Sequence, residues 1–151
     1  MTLRSFAVTT IIIVGALGSQ AQAQKIDSLA LHLHLPRDKA VDAVVSAFTQ
    51  TGLGVTNSTP SFVEADQGRT SAFVGYTARK VRAMLFGSDS TTTVVIVGDE
   101  VRLDDDGITQ LRRLRIDNRA GGNGGKVWAK MVAAAMMLDS ASVPEAARSK
   151  Q

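Results

Sequence analysis

The chain has 151 residues, 44% of them apolar, 21% charged and 5% aromatic, with 17 Lys and Arg against 14 Asp and Glu for a formal net charge of +3. These proportions describe a globular chain rather than a disordered or collagen-like one. The chain has no Cys, which excludes disulfides, Fe–S and Cys-zinc centres, a thiol nucleophile and a lipid-modified cysteine. So small a basic excess is not the electrostatic footprint of a nucleic-acid binder, and no nucleic-acid partner is expected.

Residues 1–23 read as a cleavable secretory signal. Arg4 supplies a short positive region, residues 6–17 form a mostly apolar run, and Ala21-Gln22-Ala23 fits the small-x-small cleavage rule. The run is shorter than the roughly 20 apolar residues of a spanning helix. Cleavage after Ala23 is expected, giving a secreted or periplasmic protein with no membrane span after cleavage. The remaining chain reads as one domain over residues 24–138 and a flexible tail over 139–151.

Leu29, Leu31, Leu33 and Leu35 alternate with Ala30, His32 and His34, the period of a half-buried strand that Pro36 ends. Asp38 is placed to cap a helix whose stripe is Val41, Val44, Val45 and Phe48, with Gly52 just past its end. Residues 53–70 are rich in Gly, Ser, Thr and Asn around Pro60, with short strand pieces expected at Val55 and Phe62-Val63. Residues 71–86 predict one long strand or two short ones. Turn residues at 87–90 and 104–107 bracket a strand over 92–103, and another follows over 108–117. Residues 120–125 hold four glycines, with Ala120 and Asn123, and break the chain. A helix over 126–138 follows, with Val127, Trp128, Met131, Val132, Ala135 and Leu138 on its apolar side. The expected fold is α+β, with an antiparallel sheet of about 4–5 strands and two helices on one face, in the order β-α-β-β-β-α.

Turns centred near residues 89 and 105 would place Val81, Ala83, Leu85, Val95 and Val97 on one face of the sheet. Met84, Phe86, Val94, Ile96, Leu114 and Ile116 would share the other. Both faces would then be apolar, and two helices cover only one. Met84, Phe86, Ile96 and Leu114 are therefore the candidate apolar interface. A one-residue bulge would alter this assignment.

His32 and His34 are the chain's two histidines, spaced to share one strand face, but two ligands do not make a metal site. Asp104-Asp105-Asp106-Gly107 has consecutive acids and Arg112 further on, against the alternating pattern and late Glu of a calcium loop, and reads as a solvated turn. The glycines before Lys126 lack the spacing of a phosphate-binding loop and leave at most a weak anion nest. Arg112, Arg113 and Arg115, with Lys126, are candidate contacts for an anion or partner; cross-strand ion pairs are the plainer assignment for the arginines. No catalytic, metal or cofactor residues are expected, since none of the familiar hydrolase or metalloenzyme motifs occurs. The leading expectation is a non-catalytic secreted or periplasmic binding domain with a protein partner or a homodimer. The alternatives are a carrier of an apolar small molecule or lipid between sheet and helices, and an enzyme using His32 or His34.

Overall fold

The computed structural model describes residues 27–71, 76–87, 89–104, 107–114 and 123–141. Residues 1–26, on which the expected signal falls, Arg115, Ile116 and the last part of the expected tail lie outside them. Strand β1 is Ser28–Leu33, and α1 is Arg37–Gln50. The strands β2 (Gly54–Ser58), β3 (Phe62–Ser71), β4 (Tyr76–Gly87), β5 (Thr92–Asp104) and β6 (Gly107–Arg113) follow, then α2 (Asn123–Ala141). The class is the expected α+β; among the described residues six strands form one antiparallel sheet, with both helices packed on one of its faces.

Local chemistry explains the helix ends. Pro36 occupies the N-cap of α1, and Asp38 sits inside the first turn with no side-chain cap bond. Its carboxylate therefore faces the positive end of the helix dipole rather than capping it. At the other end Gly52 takes a φ of 75°. That conformation is easy only for glycine. It lets Gly52 N–H donate to Thr49 O at 3.0 Å and Leu53 N–H to Phe48 O at 2.9 Å. These two bonds form the Schellman arrangement, with Leu53 buried beyond it. Lys130 of α2 ties the corner down, donating from Nζ to Gly52 O at 2.9 Å and to Gln67 Oε1 at 2.6 Å.

The short strand pieces expected at Val55 and Phe62-Val63 belong to longer strands, β2 and β3, which pair as a hairpin. Thr59 closes its turn: its N–H donates to Phe62 O at 2.8 Å, and its hydroxyl oxygen accepts the Phe62 N–H at 3.1 Å. Strand β2 is mostly exposed and polar, so its pairing with β3 holds it rather than any apolar periodicity of its own.

The sheet order is β1-β5-β4-β3-β2, and β6 also pairs with β5. Strand β4 occupies one edge of β5 along nearly its full length. Strands β1 and β6 share the opposite edge, β1 along Thr92–Val97 and β6 along Asp99–Asp104. They meet at Gly98, whose carbonyl accepts the Leu114 N–H at 2.8 Å. At this joint the chain leaves the sheet and Leu114 enters the core.

The β4–β5 register corrects the expected faces. Gly87 pairs with Thr92 and Ala83 with Ile96, so the turn centre falls between residues 89 and 90. That is half a residue later than expected, and it shifts the pairing by one residue. Because side chains alternate, β5 turns over relative to β4. Val81, Ala83, Leu85, Val94 and Ile96 therefore share the helix-covered face, while Val95 and Val97 lie opposite with Arg82, Met84 and Phe86. The core between sheet and helices is built from Leu33, Phe48, Val63, Ile96, Leu114, Met131 and their buried neighbours. No helix among the described residues is long and apolar enough to cross a membrane.

Candidate functional site

The face of the sheet away from the helices is laid out in cross-strand rows. Phe62, Met84, Val95 and Ala30 stand side by side on β3, β4, β5 and β1. All four are partly exposed. The next row holds Phe86, Thr93 and His32, with Phe86 54% exposed. His32 Nδ1 lies 3.0 Å from Thr93 Oγ1. Together these residues form an apolar strip with one histidine at its border.

On the other side of the strip the same face becomes charged. Glu64 receives Lys80 Nζ at 3.1 Å and Arg82 Nη2 at 2.5 Å. The Arg82 guanidinium also lies 5.7 Å from the Phe62 ring centre, within cation–π range. The Arg82 hydrogen bond lowers the Glu64 pKa below the usual carboxylate value; burial opposes this and Lys80 adds to it. One row on, Asp99 faces Lys80 and Arg113. Its Oδ1 takes Gln110 Nε2 at 2.7 Å and lies 2.7 Å from Arg113 Nε. The last contact is charge to charge rather than a directed hydrogen bond, since Arg113 Nε has no hydrogen-bond partner.

The residues singled out from the sequence do not gather at one place. Met84 and Phe86 stand on the helix-free face, whereas Ile96 and Leu114 are at 0% exposure in the core. The last two are therefore corrected from interface to core, as the register and the joint at Gly98 require. Arg112 and Arg113 are adjacent in sequence but project from opposite faces, onto Glu100 and Asp99 respectively. Arg115 is outside the described residues. Lys126 is exposed near the start of α2. Gly124 and Gly125 are already helical, so that part of the glycine run is not a loop. His34 is exposed like His32, and no group of three metal-ligating side chains occurs among the described residues. Trp128 and Met131 are core residues, while Met136 and Met137 are exposed.

Phe62, Val95 and Ala30 complete the strip but were not among the candidates. Phe62 begins a strand piece too short to assign it a face, and Val95 lies in an apolar run where every position looks equally buried. A separate open groove of about 720 Å³ lies at the rim, between the start of α1 and the β2–β3 and β4–β5 turns, lined by Pro36, Val41, Pro60 and Asp89 among others. No family model matches the chain, and no curated protein matches it in sequence.

Proposed function

We propose that the protein is a non-catalytic binding domain, secreted or periplasmic, which docks a protein partner on the helix-free face of its sheet. The observation that supports this reading is the registered row Phe62–Met84–Val95–Ala30 beside the exposed Phe86. A contiguous apolar strip on an otherwise charged surface is the composition of an interface centre with a polar rim. The ion pairs on Glu64 and Asp99 would form that rim and help set orientation rather than affinity.

The test is native mass spectrometry on the protein purified from its source, compared with a Met84→Lys/Phe86→Lys variant. The wild type is expected with a second protein chain, either another protein or a second copy. The variant is expected alone, with its circular dichroism unchanged. A wild type that is a bare monomer, or a variant that associates equally well, would refute the proposal. The same spectrum reports the N-terminus, and a mass beginning at Met1 would count against export with cleavage after Ala23.

The carrier alternative has less support. Phe48, Leu33, Ile96, Leu114 and Met131 fill the space between sheet and helices at 0–1% exposure. The groove opens at the rim instead. For the enzyme alternative, His32 offers only its contact with the Thr93 hydroxyl.

A further inference from the structure

At the far end of the helix side of the sheet, two arginines converge on one carboxylate and a third stands beside them on the same face. Arg79 of β4 and Arg112 of β6 both stand opposite Glu100 of β5. Arg79 Nη2 is 3.0 Å from Glu100 Oε1, and Arg112 Nε contacts Oε2. Arg102 lies two residues along β5 from Glu100 and so projects from the same face. It is exposed. Thr77 and Thr109 flank it in the register.

A bulge creates this grouping. Glu100 pairs with Arg112 and Val101 with Gln110, so Leu111 is the extra residue of β6. The bulge aims Arg112 at Glu100 and leaves Arg113 for Asp99 on the opposite face. Two guanidinium groups on one carboxylate leave an excess of one positive charge, to which Arg102 beside them adds. Arg79 is 8% exposed, and its Nε is buried with no hydrogen-bond partner. A buried donor without an acceptor is costly, and more so when charged. Guanidinium forks match the geometry of a tetrahedral oxyanion.

We infer that Arg79, Arg102 and Arg112 form a binding site for a phosphoryl group, with Glu100 holding the two inner guanidiniums in place. The threonine hydroxyls beside Arg102 supply further donors. The inference is independent of the docking face, which lies on the other side of the sheet.

The test is an NMR titration of the full chain with inorganic phosphate, following the arginine Nε–H signals against chloride at equal ionic strength. Saturable shifts are expected at Arg79, Arg102 and Arg112 with phosphate only. Arg102→Ala, at an exposed position, is expected to keep the melting temperature and weaken binding about tenfold, the loss of one charge-assisted contact. Co-sedimentation with phosphatidylglycerol vesicles, against phosphatidylcholine, separates the two sources of the group: retention on the anionic vesicles assigns a lipid headgroup, and phosphate binding without retention assigns a soluble phosphate. Shifts that chloride reproduces, or that Arg102→Ala leaves unchanged, overturn the inference, as does the absence of binding in both formats.

Discussion

Replacing Gly98 with Ala tests the joint on which the fold turns. A Cβ built at Gly98 would lie 2.8 Å from Met131 Sδ and 2.9 Å from Leu114 Cδ1. Both neighbours are at 0% exposure, so neither can swing into solvent. Crowding a packed core in this way costs about 1–3 kcal/mol. The backbone at Gly98 is not in the left-handed region, so Ala also restricts the unfolded chain and returns about 0.4–1 kcal/mol. The net expectation is a loss of roughly 0.5–2 kcal/mol. Met131→Ala alone should cost about 2–5 kcal/mol by leaving a cavity. In that background the nearest clashing atom is gone, and Leu114 can turn into the vacated volume. Gly98→Ala should then be neutral or stabilising, a coupling of about 1–2 kcal/mol between the two positions. Urea unfolding of the two single variants, the double variant and the wild type measures the cycle. Equal effects of Gly98→Ala in both backgrounds, or a single variant as stable as wild type, would show that α2 does not press on the sheet at Gly98.

Two further outcomes follow from the same geometry. The lowered pKa of Glu64 means that its pairing with Arg82 and Lys80 contributes stability at neutral pH, and that contribution is lost as pH falls through the folded-state pKa. The stability advantage of wild type over Glu64→Gln, measured as a denaturant midpoint, should therefore be larger at pH 7 than at pH 3; a pH-independent difference would contradict the ion-pair account. Ile96→Lys places an ammonium group in a position of 0% exposure, at a cost of several kcal/mol. It should unfold the protein, unlike Met84→Lys/Phe86→Lys on the other face. A folded Ile96→Lys protein with an unchanged melting midpoint would mean that the register of β5 is wrong.

Much of the architecture is legible in short stretches of sequence. The leucine alternation of β1, the 3.6-residue stripe of α1 and the stop at Gly52 each depend on a few neighbouring residues. The six-stranded sheet is less so. Polar β2 lacks the periodicity of a strand and exists because β3 hydrogen-bonds to it. The ends of α2 extend past the expected 126–138 in both directions. At its start Gly124 and Gly125 are poor helix formers on their own, and the packing of Val127, Trp128 and Met131 against the core outweighs that preference.

The candidate surfaces were the least legible part, for a physical reason. Val94-Val95-Ile96-Val97 is apolar at every position, so its composition cannot say which alternate residues face the helices. The centre of one turn decides it, and the bulge at Leu111 makes the same decision for Arg112 and Arg113. Sequence alone determined the α+β class, the main strands and helices of the domain and the absence of cysteine chemistry, because these rest on local periodicity and composition. Only the tertiary structure decided that Ile96 and Leu114 are core, that Phe62 joins Met84 and Val95 in one strip, and that Arg102 and Arg79 rather than Arg113 accompany Arg112. Those outcomes depend on the parity of strand pairing, which connects residues far apart in the chain and which no local pattern records.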